Sequence, residues 1–148
     1  MPKVTFDLTN NTSIYAGGDC IGSAIAIATS NFSPGSKGKI GGISVSDLSK
    51  QNTPLNFIFF DSTPNATTFT DNSPLDIADS DLYKVFATAS LTHSAYTSFA
   101  DNSVATQDFD IPISTSAVGG LFMAVTVGQS FAPTYDVLSA LKVTLLLE

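Results

Sequence analysis

Arginine and tryptophan are absent from this 148-residue sequence, which has one cysteine, one histidine and one glutamate. A single cysteine excludes an internal disulfide, and we expect Cys20 to be a small buried side chain. Six lysines face thirteen acidic residues, which gives a net charge of −7. Nucleic acids and anionic membranes both attract clustered cationic side chains, so we expect neither as a partner.

Long apolar runs are also missing. The first residues, "MPKVTFDLTN", contain no apolar signal region, and no segment reaches the ~20 apolar residues that cross a bilayer. We therefore expect a protein that is made in the cytoplasm and folds without disulfides. A chain of this length can bury roughly 70% of its unfolded surface, so packing alone can stabilise it.

The residues that are abundant favour strands. Hydrophobic residues make up 43% of the chain and charged residues only 13%, and Ser, Thr and Asn supply most of the polar surface. Valine, isoleucine, threonine and aromatic residues are enriched in strands, whereas the helix formers Glu, Gln, Arg and Lys are scarce here. The composition predicts one all-β domain over residues 1–148.

Alternation of apolar and polar residues, together with short apolar runs, locates the strands. Weaker alternation occurs near residues 43–48, 96–100 and 109–113, where Pro112 is typical of an edge. The segment 31–42 is glycine-rich and predicts a turn. Eight or nine short strands of this kind indicate a β-sandwich or a jelly-roll-like fold. The strongest predicted strands are Val4–Leu8, Ile21–Thr29, Leu55–Asp61, Val85–Leu91, Leu121–Val127 and Ala140–Leu147, with Leu55–Asp61 as the central one.

One strand has an unusually smooth face. In "IGSAIAIAT" the isoleucines face one way, and Ala24, Ala26 and Ala28 face the other. A face of small residues allows close approach, either by the second sheet of the same domain or by a neighbouring subunit. These three alanines are therefore candidate partner contacts.

Four aspartates lie in the stretch "DNSPLDIADSDLYKV", which begins at Asp71. The EF-hand pattern is excluded because the spacing differs, no glycine follows and position twelve after Asp76 is alanine. An irregular calcium site made by Asp76, Asp79 and Asp81 stays open as an alternative, since calcium tolerates many arrangements of oxygen ligands. Carboxylates acting as a catalytic pair need a geometry that sequence cannot supply.

A structural role fits this acidic stretch best. "SPLD", from Ser73, resembles a capping box with Pro74 at the first helical position. Asp79 or Ser80 can cap a second short turn over Asp81–Tyr83. One or two short helical turns near residues 74–83 are the prediction, with Leu75, Ile77 and Leu82 pointing inward.

No catalytic constellation is visible in the sequence. A nucleophile elbow of the form G-x-S-x-G is absent, and His93 carries no spacing information, so we expect it to be a polar strand residue. We expect no enzyme, no catalytic residues and no cofactor; a small hydrolase using the acids between Asp71 and Asp81 is the enzymatic alternative. Phe131 and Tyr135 lie in the loop "GQSFAPTYDVLS" and are candidate contacts to a partner or a sugar.

Two blocks of the chain resemble a known group of proteins. "GKIGGISVSDLSKQ", with the following "LNFIFFDSTPNATTFTDNSPLDIADSDLYKVFATASL", is similar to tailed-bacteriophage virion proteins, in which a strand ending F-D leads through a P-x-x-T-T-F-T-D-N loop to an A-D-x-D-L turn. The closing "GGLFMAVTVGQSFAPTYDVLSALKVTLLLE" resembles their C-terminal strands. The likeness covers roughly residues 38–148 and contains structural residues only.

The resemblance implies a capsid decoration, or cement, protein. Such proteins commonly bind as homotrimers at threefold positions on the outer surface of a mature head, where they lock neighbouring capsid subunits together. The major capsid protein would then be the partner, and the protein would be made in the host cytoplasm. A tail- or fibre-associated adhesion module that binds carbohydrate is the alternative.

Overall fold

The computed structural model describes residues 3–27, 37–114 and 120–148, without the side chains of Lys37 and Ser114. Strands dominate, so the predicted all-β fold is confirmed. A four-residue helix, α1 (Asp79–Leu82), precedes the fifth strand, and a 3-10 turn, His93–Ala95, follows it. The strands are β1 (Lys3–Asp7), β2 (Ile25–Ile27), β3 (Lys37–Asp47), β4 (Leu55–Phe60), β5 (Val85–Leu91), β6 (Tyr96–Ser98), β7 (Ser103–Ser114), β8 (Leu121–Val127) and β9 (Leu141–Leu147).

The strands form two antiparallel sheets in the orders β1-β9-β3-β7-β6 and β2-β8-β4-β5. The pairings are nested, because β1 pairs with β9, β2 with β8, β3 with β7, and β4 with β5. This is the arrangement of a long two-stranded ribbon that is bent at the β4–β5 connection and wrapped into two packed sheets. The chain therefore has the strand order of a jelly roll, to which the short β6 is added at one edge.

Alternating side chains fill the space between the sheets. In β9 the odd-numbered residues from Leu141 to Leu147 are buried and pack into one hydrophobic core, as the alternation predicts. Val143 lies opposite Val45 on β3, so both strands direct the same face inward. β4 lies between β8 and β5, which confirms that the aromatic strand is an interior one.

A second, smaller apolar layer lies outside this core. Cys20, Phe60 and Ala124 are buried but do not belong to the central cluster. The Phe60 ring meets the Phe69 ring edge-on, with centroids 6.1 Å apart, and Phe69 belongs to the long β4–β5 connection. This connection, residues 61–84, therefore covers part of the outer face of the four-stranded sheet. Cys20 is buried, as we expected.

The predicted strand Ile21–Thr29 is only partly correct. β2 begins at Ile25, because Gly22 has a φ of +68° and interrupts the extended backbone. A Cβ at Gly22 would lie 2.1 Å from the Leu8 carbonyl oxygen, so this position needs glycine. The turn predicted for residues 31–42 is wrong over 37–42, which belong to β3, and a β-bulge between Ile40 and Gly42 absorbs one residue.

The predicted capping box at Ser73 is also wrong. Pro74 forms an isolated β-bridge with Asp19 instead of starting a helix, because the backbone around it pairs with residues 18–20. α1 begins after Ala78 and has no side-chain cap. Leu82 is exposed, contrary to the prediction, since the short helix turns Asp81 rather than Leu82 inward.

The predictions for His93 and Pro112 can also be compared with the structure. His93 begins the 3-10 turn and is not a strand residue, because the chain must turn there between β5 and β6. Pro112 lies opposite Lys39, beyond the segment of β7 that β6 covers, so its local position is an edge. In the described ranges no helix has the length and apolar character needed to cross a membrane.

Candidate interaction surface at one end of the sandwich

The aspartates of the acidic stretch are separate in the structure. Asp71 Oδ1 accepts hydrogen bonds from the Tyr15 hydroxyl and the Gly22 N–H, each at 2.7 Å. Asp76 and Asp79 are exposed. Among residues 3–27, 37–114 and 120–148, no three His, Cys, Asp or Glu side chains are grouped so that they could hold a metal ion. The structure thus does not bring together the three oxygen ligands of the alternative calcium site.

Asp81 is the buried member of the stretch. Its carboxylate accepts hydrogen bonds from the Ala66 N–H at 2.9 Å and the Thr67 hydroxyl at 2.7 Å, and it forms an ion pair with Lys84 at 2.7 Å. The Lys84 ammonium group lowers the pKa of this carboxyl group below its ordinary value, and the donors from residues 66 and 67 act in the same direction. Asp81 therefore organises the β4–β5 connection.

The most elaborate constellation lies at the opposite end of the sandwich. The strand registers place Asp47 opposite Leu141 and Ser103 in one sheet, and Leu55 opposite Val127 in the other. The segments 8–24, 48–54, 92–102 and 128–140 therefore meet at the same end. We call these four segments together the loop end.

Asp47, the last residue of β3, fixes the segment 48–54. Its buried carboxylate accepts the N–H groups of Ser49 and Gln51 at 2.8 Å each and that of Asn52 at 3.2 Å. Burial raises the pKa of Asp47 above its ordinary value, although these backbone donors act in the opposite direction. The Asp47 carboxylate thus holds the backbone of segment 48–54 in place by accepting hydrogen bonds from it.

This fixed segment in turn holds the neighbouring segments of the loop end. The Gln51 side-chain oxygen accepts the Thr134 N–H at 3.0 Å, and the Ser49 hydroxyl bonds to Asp136. The Asn52 side-chain amide donates to the Ser98 hydroxyl at 3.0 Å. Segments 48–54, 92–102 and 128–140 are therefore joined by specific hydrogen bonds.

Tyrosines form the floor of the loop end. Tyr135 is fully buried and donates to the Thr53 hydroxyl at 3.2 Å, while Tyr96 donates to the Thr53 carbonyl oxygen at 2.7 Å. The Tyr15 and Tyr135 rings meet edge-on, with centroids 5.9 Å apart. Burial raises the pKa of all three phenols, so they are neutral supports at ordinary pH.

The residues predicted to contact a partner differ in how far the structure exposes them. Tyr135 cannot be a surface contact, because its ring is needed to fill the space beneath the loops. Phe131 is 36% exposed and lies beside His93, with ring centroids 5.6 Å apart. Ala24 is half-buried, Ala26 is exposed on β2, and Ala28 lies outside the described residues.

Large apolar side chains are concentrated on the loop end. Six of the eight that are exposed in the described chain lie there: Ile14, Leu48, Phe99, Phe131, Val137 and Leu138. Leu138 is 70% exposed, although it lies on a segment that hydrogen bonds hold firmly. Exposed apolar groups on rigid loops are typical of a surface that binds a partner.

Most of these residues were not predicted as contacts. Leu48 and Phe99 lie in segments with weak strand alternation, and the others are isolated apolar residues inside polar segments such as "YDVLS". That mismatch was a usable signal, because an apolar residue outside any periodic pattern has no inward face to occupy. What sequence could not show is that four distant segments meet.

Comparison with known proteins adds no family. No protein-family model matches the chain, and no curated protein matches it either. The resemblance to virion proteins therefore stays a prediction.

Proposed function

We propose that this chain is a non-enzymatic structural protein of a tailed-bacteriophage virion, which binds the outer surface of the head through its loop end and stabilises the shell. The observation that carries the proposal is the set of six exposed apolar side chains on interlocked loops. Such loops are already ordered before binding, so little conformational entropy is lost when a partner covers them.

The energetics favour a protein partner with an apolar contact surface. Burying a large aliphatic or aromatic side chain contributes about 1.5–3 kcal/mol, and these six are only partly exposed, so each contributes less. The same segments also carry polar side chains, such as Ser49, Gln51 and Asn52, which suits an interface with both apolar and polar contacts. A surface of this kind gives specific binding of moderate strength.

The proposed partner is the major capsid protein. The resemblance described above supports placement at the threefold positions of the head as a homotrimer. In such an arrangement three modest contacts act together, so avidity exceeds the affinity of each single contact. The net charge of −7 favours encounter with basic patches on the shell.

The fold supports the proposal only as an analogy. Jelly rolls occur in viral capsid and lectin domains, but one fold hosts many functions. The carboxylates of Asp71 and Asp81 accept hydrogen bonds that hold the β4–β5 connection, and a structural role for them supports a non-enzymatic protein. The loop end therefore carries the argument, and the fold is compatible with it.

The test mixes purified protein with undecorated mature heads and counts bound copies by electron microscopy. Leu138→Ser at the loop end is compared with Leu82→Ser, which removes an exposed leucine from α1, at the opposite end of the sandwich. We expect wild type and Leu82→Ser to bind around the threefold axes, and Leu138→Ser to bind about tenfold more weakly, as the loss of ~1.4 kcal/mol predicts. Absence of binding to heads, or equal binding of both variants, would overturn the proposal.

A second function is favoured by one specific feature. The Phe131 and His93 rings lie side by side on the loop end, and their planes are inclined by 31° to each other. His93 Nδ1 lies 2.7 Å from the Asn52 carbonyl oxygen, so this nitrogen carries the proton and the ring is held in place. A virion adhesion module would use such rings to stack on a sugar. Binding to a glycan array that Phe131→Ala abolishes, without binding to heads, would select this function.

A further inference from the structure

β1 forms one edge of the five-stranded sheet and, within the described residues, pairs only with β9. The Leu8 N–H donates to the Leu141 carbonyl oxygen at 3.1 Å, which fixes the phase of the hydrogen bonds in this ladder. Backbone groups of successive residues alternate in direction along an antiparallel strand. The N–H and C=O groups of Lys3, Thr5 and Asp7 therefore point to the open edge.

The edge is complementary to itself. If an antiparallel copy of β1 is centred on Thr5, Lys3 of each copy lies opposite Asp7 of the other, and the two Thr5 residues face each other. Val4 lies opposite Phe6, and both are only half-buried in the single chain although they pack against the core. Opposite charges, threonine pairs and apolar pairs across two strands are each stabilising.

We propose that β1 pairs with β1 of a second copy across a twofold axis and joins the five-stranded sheets of the two protomers. A twofold contact must be self-complementary, because the same strand supplies both sides. Backbone hydrogen bonds contribute affinity, while the Lys3–Asp7 pairs fix the register and direction. Asp7 already lies 3.8 Å from Lys142, so pairing gives this exposed carboxylate a second cation.

The other described edges are less suited to pairing with a copy. β2 and β6 have three residues each, too few for a stable ladder, and β7 carries Pro112 beyond the part that β6 covers. β5 is long, but "VFATASL" contains no charge that would set a register, and a bulge lies next to Phe60. β1 alone combines an open backbone with charges of opposite sign at its two ends.

This inference is independent of the proposed function. β1 lies along the side of the sandwich, whereas the contacts proposed for a shell lie on the loop end. Threefold contacts and a twofold contact can therefore use different surfaces of one protein.

Charge reversal tests the proposal with the full chain in solution. Sedimentation velocity over a range of concentrations should show a monomer–dimer equilibrium for the wild type. Lys3→Asp places like charges opposite each other, and so does Asp7→Lys, so each variant alone should be at least tenfold weaker in dimerisation. A mixture of the two variants restores opposite charges at both positions and should form a heterodimer. Lys50→Asp, an equal charge change on the loop end, is the matched control and should dimerise like the wild type.

Hydrogen exchange gives a second readout in the same samples. The Thr5 amide should exchange quickly in the monomer and become protected in the dimer. A wild type that stays monomeric, a dimer that ignores both charge reversals, or a mixture that fails to associate would overturn the proposal. Protection of Thr5 in the monomer would also overturn it, because another part of the same chain would then cover the edge.

Discussion

The Tyr15 hydroxyl donates to Asp71 Oδ1 at 2.7 Å, which joins the β1–β2 connection to the β4–β5 connection across 56 positions of sequence. The same hydroxyl accepts the Asn11 N–H at 2.8 Å, and Asp71 also holds the Gly22 N–H. One phenol and one carboxylate thus tie two separate points of the β1–β2 connection, Asn11 and Gly22, to the β4–β5 connection. Removing either group leaves polar atoms without partners beneath the surface.

Tyr15→Phe should therefore lower the free energy of unfolding by about 1.5–3 kcal/mol, the range for a hydrogen bond to a charged group. Urea denaturation followed by circular dichroism measures this loss. Tyr83→Phe removes the same hydroxyl from a side chain that is 79% exposed, and it should change nothing. Equal changes in the free energy of unfolding for both variants would show that the Tyr15–Asp71 hydrogen bond does not stabilise the fold.

Gly22→Ala should be strongly destabilising, because two costs add. The positive φ costs about 1–2 kcal/mol for a residue with a Cβ, and that Cβ would overlap the Leu8 carbonyl oxygen. Gly120→Ala is the matched control, since Gly120 has a φ of +86° but nothing lies within 4 Å of the added Cβ. We expect a drop in melting temperature that is clearly larger for Gly22→Ala; equal drops would mean that the loop moves aside.

Asp47 and Asp81 should titrate on opposite sides of the ordinary aspartate pKa, about 3.9. Burial raises the pKa of Asp47, and the Lys84 ammonium group lowers that of Asp81. Carbon-detected NMR of the side-chain carboxyl groups from pH 7 to pH 2 resolves both midpoints. A higher midpoint for Asp81 than for Asp47 would contradict the structure.

These opposite shifts predict opposite effects on stability. The ionised Asp47 carboxylate costs stability above its folded-state pKa, and this cost disappears as the pH falls through that value. Asp81 contributes stability above the ordinary pKa, which is lost as the pH falls through its lower folded-state pKa. Replacing Lys84 by Met should reduce the acid-dependent part that belongs to Asp81, because the Lys84 hydrogen bond is the largest of the contributions that lower its pKa; urea denaturation at several pH values measures this. If the pH dependence stays unchanged, the ion pair does not contribute.

Cys20 should be inert in the folded protein. Burial, with the nearby Asp71 and Asp19 carboxylates, raises the pKa of its thiol to about 11. Since the thiolate is the reactive form, a thiol reagent at pH 8 should label no cysteine in native protein and one in guanidinium. Rapid native labelling would show that the β4–β5 connection opens frequently.

Calcium and chelator should leave the melting temperature unchanged within error. Asp81 is engaged by Lys84, and Asp76 and Asp79 are not gathered with it around a common point. A bound ion would stabilise the folded state by mass action. A rise of several degrees on adding calcium, reversed by EDTA, would restore the calcium hypothesis for these three aspartates.

Most of the fold could be predicted from the sequence, because each strand has its own pattern of apolar and polar residues. The alternation in "ALKVTLLL" and the aromatic run in "LNFIFFD" predict β9 and β4 within one residue at each end. The glycine-rich start of β3 was missed, since Gly41 and Gly42 suggested a turn while pairing with β7 and β9 imposed a bulged strand. Tertiary pairing overrides local preference at such positions.

The candidate surface was harder to predict from the sequence, because the burial of a side chain depends on segments that are distant in sequence. Tyr135 and Phe131 occur four residues apart in the same polar loop, yet only Phe131 reaches the surface. The difference arises from Thr53, which lies 82 positions away in sequence and accepts a hydrogen bond from the Tyr135 hydroxyl. Neither composition nor local sequence pattern predicts the contact between Tyr135 and Thr53.

The nested strand order also constrains how the protein is made. β4 and β5 can pair as soon as both have left the ribosome, but β1 waits for β9, which is made after all the other strands described above. Contacts between residues so far apart in sequence slow folding. During synthesis β1 therefore stays without its partner strand until β9 is made, and a second nascent chain nearby offers it the same backbone groups. Newly made copies of this protein should thus be most prone to mispairing before the seven-residue β9 emerges.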